Sequence, residues 1–152
     1  LHPSAIYVNR EPTWVATVLG SCVAVCFIDQ KRQIGGINHF MMPFWNGEGL
    51  ESPKYGNVAI SQLFQKMLDF GAKKEDIACK IFGGAKVLHD HASVFRVGQR
   101  NIELAYQMVA ELGIPVISSS TGGKQGRKIY FNTATGEVLQ KYLIKSKSSE
   151  TK

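Results

Sequence analysis

An α+β fold is predicted for this 152-residue chain, and three patterns carry the expectation. Residues 22–28 (Cys-Val-Ala-Val-Cys-Phe-Ile) are β-branched and aromatic, 29–33 are polar, and 34–42 return as a second apolar run stopped by Pro43. Residues 57–70 set Ile60, Leu63, Phe64, Met67 and Leu68 on one helical stripe. Residues 101–112 repeat that periodicity with Ile102, Ala105, Tyr106, Val109 and Leu112. Hairpins dominate, with two main helices inserted among them. That order suits α+β rather than a doubly wound parallel sheet.

Residues 6–8 read as a short strand, and 14–18 as another that runs into a Gly20-Ser21 step. Residues 44–55 form a long loop carrying Phe44 and Trp45, and loops of this length in compact domains are often functional. Gly71 closes the first helix at its C′ position. Residues 77–82 form a strand that ends in Gly83-Gly84. Gly113 and Pro115 end the second helix, and residues 116–117 begin a further strand. Residues 129–131 and 138–144 flank a closing hairpin whose turn is supplied by Gly136. With no repeat or linker, residues 1–145 are expected to form one domain, and the polar tail 146–152 to be disordered.

A hydrophobic share of 44% and a charged share of 20% are those of a globular domain, not of a disordered chain. No apolar run approaches the roughly 18 residues of a membrane span, and no signal-peptide pattern is present. Direct membrane insertion is therefore not expected. Three cysteines argue against a disulfide framework and for a reducing compartment, the cytoplasm by default. The charge of +6 is dispersed, densest at 124–128 and 141–152. It reads as a solvated basic face suited to an acidic protein partner, not to nucleic acid. A monomer is expected.

Cys22 follows Gly20-Ser21 at the mouth of the 22–28 run, and His39 lies seventeen residues later. A turn centred near Gln30 or Lys31 puts residues whose numbers add to about 61 opposite each other, so Cys22 faces His39 or its neighbour. Opposed Cβ atoms lie about 4.5–5.5 Å apart, within reach of a Cys–His pair. An imidazole beside a thiol can hold it as thiolate, the nucleophilic form. The pair marks a candidate thiol hydrolase, with backbone amides around Ser21 and Cys22 as candidate oxyanion donors.

Cys26 lies about 13 Å along the strand from Cys22, too far to share a disulfide or a metal, and reads as core with Cys79. His89-Asp90-His91 has the form of a metal half-site but lacks further ligands, so no metal or other cofactor is expected. Residues 122–128 lack P-loop spacing and read as a basic approach to a hairpin. Two other readings stand beside the hydrolase. One is a non-catalytic interaction module. The other is a thiol redox sensor pairing Cys22 with Cys26 or Cys79, which the strand distance disfavours.

Residues 17–26 and 35–43 resemble the signature of the CheD chemoreceptor glutamine deamidases. The similarity continues through 54–57, 80–85, 98–101, 121–128 and 131–138, and so spans about residues 7–143. The resemblance implies packed β-sheets and helices similar to the catalytic domain of the cytotoxic necrotizing factor deamidases. It implies a cytoplasmic chemotaxis enzyme that converts receptor glutamines to glutamate. Some members are also methylesterases, and some bind a CheC-type phosphatase. The family's nucleophile and base fall on Cys22 and His39. Its threonine, six residues before the cysteine, falls on Ala16, with Thr17 one residue later. The third group is then either the Thr17 hydroxyl or the Ala16 main-chain carbonyl. The 44–55 loop, with Phe44 and Trp45, is the expected apolar rim against a receptor helix.

Overall fold

The computed structural model describes residues 1–86 and 92–144, with the backbone alone at 92–95. The tail 146–152 lies outside the described residues. In chain order the elements are β1 (Ile6–Asn9), β2 (Trp14–Leu19), β3 (Val23–Asp29), β4 (Ile34–Asn38), α1 (Gly56–Asp69), β5 (Ile77–Gly83), α2 (Ala92–Glu111), β6 (Val116–Thr121), β7 (Arg127–Asn132) and β8 (Val138–Tyr142). Five strands in the order β1-β4-β3-β5-β6 form one sheet, and β2-β7-β8 form a second. The fold is α+β, as the sequence patterns predict.

Three layers result. Val25, Phe27 and Ile81 on one face of the larger sheet pack against Ile60, Leu63 and Met67 of α1 and Ala105 and Val109 of α2. Ala24, Cys26, Ile37 and Phe82 on its other face pack against Val15, Leu19, Ile129 and Phe131 of the smaller sheet. Each Val, Leu, Ile, Phe or Met among them contributes about 1.5–3 kcal/mol on burial. β3 is covered on both faces and all seven of its residues are buried, which explains its continuous apolar run.

The β3–β4 hairpin departs from the predicted register by two residues. Asp29 pairs with Ile34, Cys26 with Ile37, and Val23 bridges Phe40, so the position opposite Cys22 is Met41. The cause lies in the loop. Asp29 Oδ1 accepts the Arg32 amide at 3.2 Å and Gln33 takes φ 56, which centres the turn later than Gln30 or Lys31. A shift of two preserves the face, so Cys22 and His39 remain on the same side of the sheet. The second helix also differs, because α2 starts at Ala92 rather than near residue 101.

Candidate active site

β2 alternates strictly, burying Val15, Thr17 and Leu19 and turning Trp14, Ala16 and Val18 outward. The alternation points Thr17 between the sheets, where it meets His39 just beyond the end of β4. Thr17 Oγ1 lies 2.7 Å from His39 Nδ1, and both residues are 3% exposed. The same hydroxyl donates to the Leu1 carbonyl at 3.0 Å. A hydroxyl has one proton, so with that proton on Leu1 the oxygen accepts from Nδ1–H, leaving Nε2 with a free lone pair. The Ala16 carbonyl is occupied, accepting from the Leu1 nitrogen at 2.6 Å. Of the two groups the sequence left open, the Thr17 hydroxyl is the one at the ring.

Cys22 packs half-buried at the margin of the core between the sheets. Extended from the Val23–Phe40 bridge, the register sets Cys22 diagonal to His39 on the same face, and no hydrogen bond joins the two side chains among the described residues. Asn38 loosens the ladder beside the ring, its Oδ1 accepting the Val25 amide at 2.9 Å.

The carbonyls of the Gly20–Cys22 turn are all held. Ala85 N–H donates to Gly20 O at 2.8 Å and Gly84 N–H to Cys22 O at 2.9 Å. Asn101 Nδ2 donates to Ser21 O at 3.0 Å and to Met41 O at 3.1 Å, joining the two segments that carry Cys22 and His39. Among the described residues the Ser21 amide has no acceptor, and the Cys22 amide faces its own sulfur. Gly83, at φ +109, is a required glycine: a Cβ there would overlap the Cys22 carbonyl. These bracing residues were missed by sequence reasoning. The available signal was Asn101, polar yet in helical step with the apolar Leu104, Ala105 and Met108.

Burial raises the Cys22 thiol pKa, and its own backbone amide opposes the rise. Burial, with the charge of the Leu1 amino group second, lowers His39 to about 4. Both shifts favour thiol and neutral imidazole over an ion pair. Cys26 and Cys79 are buried on opposite faces of the larger sheet, and burial pushes both thiols upward. Among the described residues no group of three or more acidic, histidine or cysteine side chains could hold a metal, and His89-Asp90-His91 lies outside them.

A cavity of about 400 Å³ opens beside the ring, lined by His39, Thr17, Ala16, Val18, Lys128 and residues 1–3. On another side, Phe44 is 57% exposed, while Asn57 Oδ1 holds the Trp45 amide at 2.9 Å. Arg127, read from sequence as part of a solvated cluster, is buried and clamps Ser120 O at 2.6 Å and Gly122 O. No helix among the described residues is long and apolar enough to cross a membrane.

Thr17 and His39 meet between the two sheets of an α+β fold, and Cys22 lies at the margin of the same core. The chain belongs to the CheD family. The family model for CheD chemotactic sensory transduction matches residues 41–142, beginning two residues after His39. Similar relatives extend further. A protein of Trichlorobacter lovleyi named probable chemoreceptor glutamine deamidase CheD is 50% identical over 139 residues, 91% of this chain and 86% of its own length. Its namesake in Sulfurimonas denitrificans is 44% identical over 147 residues, covering 96% of this chain and 94% of that one. Another, from Rhodospirillum rubrum, is 42% identical over 139 residues, 91% and 78% of the two lengths.

Proposed function

We propose that this protein deamidates glutamine side chains of methyl-accepting chemoreceptors in the cytoplasm, through a thioester on Cys22. The names of its relatives supply the substrate class. The observation that carries the chemistry is the 2.7 Å approach of Thr17 to His39 on the face that bears Cys22. That contact leaves Nε2 as an acceptor aimed away from Thr17, the role a general base needs.

Starting from the neutral pair, the Cys22 proton moves to Nε2 as sulfur bonds to the amide carbon. The Ser21 and Cys22 amides receive the oxyanion, an effect of about 3–4 kcal/mol per donor in hydrolases. The imidazolium returns its proton to the nitrogen as the C–N bond breaks, and ammonia leaves. Water then adds to the thioester carbon, giving a proton to Nε2. Collapse breaks the C–S bond, returns that proton to sulfur and releases glutamate. No step needs a metal or an organic cofactor.

The test is mass spectrometry of a soluble receptor fragment after incubation, read as a gain of about one mass unit at each converted glutamine. Cys22→Ala is expected to abolish conversion, and a Cys22→Ala protein that still converts would end the thioester reading. Methyl esters of the same residues enter the same acyl chemistry, so methanol release measures whether the site is also a methylesterase. Binding of a CheC-type phosphatase is a companion activity that should survive Cys22→Ala.

A further inference from the structure

Among the described residues nothing packs on the outer face of β2-β7-β8, and that face has an ordered pattern. Register places Ala16, Tyr130 and Leu139 in one row across the three strands, and Val18, Lys128 and Lys141 in the next. Trp14 extends the apolar part beyond the first row. Trp14, Val18 and Leu139 are 48%, 50% and 51% exposed, and Ala16 and Tyr130 lie between them on the same face. Lys128 Nζ lies 5.2 Å from the centroid of the Tyr130 ring, so one lysine already shields part of the apolar row.

Three strands span about 10 Å, so a helix laid along the rows, across the strands, meets the face over about two turns. The apolar row suits one stripe of such a helix. The lysine row, toward the Gly20–Cys22 end of β2, suits acidic residues beside that stripe. The face is also continuous with the candidate site. Ala16, Val18 and Lys128 line the cavity that reaches His39, and β2 is the edge strand of its sheet.

We infer that this face seats one acidic amphipathic helix, whose glutamine side chain passes around the edge of β2 toward His39. The inference rests on the deamidase reading and names how its substrate is held. Substrate contact is thereby assigned to the small sheet rather than to the 44–55 loop. A charged rim steers association, and its effect weakens as salt screens it.

Leu139→Glu and Lys141→Glu test the assignment, because both residues lie on the face but do not line the cavity. The substrate is a soluble, glutamine-bearing receptor signalling-bundle fragment, and kcat/KM is measured by mass spectrometry at low and high salt. Each variant is expected to lose about ten-fold or more, equivalent to about 1.4 kcal/mol, and the Lys141→Glu loss should shrink in high salt. Melting temperature and the rate of Cys22 alkylation by iodoacetamide should stay at wild-type values, which separates lost docking from lost folding. Wild-type kcat/KM in both variants would overturn the assignment while leaving the deamidase reading intact. A wild-type protein that converts no glutamine would instead defeat the deamidase reading. Sedimentation showing a dimer that Leu139→Glu dissociates would give the face to a second copy of the chain and overturn the inference.

Discussion

Thr17 and His39 are joined by a 2.7 Å contact that makes the imidazole a one-sided base. Nδ1 is occupied by a hydroxyl whose own proton is given to Leu1. The ring therefore has a defined tautomer and a defined orientation, set from a different sheet than the one that carries it.

Thr17→Val should remove this control while preserving shape. It leaves Nδ1–H buried without an acceptor, at about 1–3 kcal/mol, and lets the other tautomer compete. The expected result is about a 5- to 100-fold fall in kcat with little change in KM. Thr17→Ser should restore most of the rate. Equal impairment in the serine variant would mean that Thr17 acts through packing alone.

The depressed pKa of His39 makes stability depend on pH. The unfolded chain takes up this proton near 6.5 and the folded chain near 4, so between those values the unfolded state holds more protons. Stability is then full above 6.5 and falls as pH drops toward 4, by up to about 1.4 kcal/mol per pH unit from this group. Urea denaturation at pH 7, 5.5 and 4.5 measures the slope, and His39→Gln should flatten it. The acid limb of kcat/KM should likewise lie well below 6.5, because the base stays neutral there.

The Gly83 position links the diglycine to the Gly20–Cys22 turn. Gly83→Ala adds a Cβ at φ +109 and drives it into the Cys22 carbonyl, for more than about 2 kcal/mol of strain and overlap. Gly136→Ala provides the contrast, since φ there is +79 but the neighbour is Ile28, in the part of β3 next to the 30–33 loop. Both should lower the melting temperature. Only Gly83→Ala should also slow ammonia release from folded protein.

Legibility in the sequence followed the length scale of each interaction. Strand and helix positions were readable because the apolar period is local, as in β3 and α1. That Cys22 and His39 share a face of the sheet was readable because hairpin parity survives a two-residue error in register. The register itself was hidden in side-chain chemistry, the grip of Asp29 on the Arg32 amide. The first half of α2 was hidden by Gly98, which weakens helical propensity. Its bare Cα lets the helix approach the Gly84 and Ala85 carbonyls, a contact between segments far apart in the chain. Arg127 misled for the same reason. Its partners are the carbonyls of Ser120 and Gly122, and no charge pattern announces a carbonyl.

Asn101 offers the sharpest test of how the site is held. Its amide nitrogen donates to both Ser21 O and Met41 O from a fully buried position on α2, and its Oδ1 has no partner among the described residues. Asn101→Ala strands two carbonyls and should cost about 1–3 kcal/mol, with kcat falling as the Cys22 turn loosens against the His39 segment. Asn101→Asp is nearly isosteric but can donate only while protonated. Folding then favours the protonated acid and raises its pKa, so the unfolded chain loses its proton first as pH rises. The Asp variant should therefore be steadily less stable from about pH 4 upward, until the folded form ionises as well. Thermal melts at pH 5 and pH 8 measure this, and the wild-type protein supplies the baseline. A melting temperature for Asn101→Asp that tracks wild type between those two values would show that the amide donors do not hold the turn.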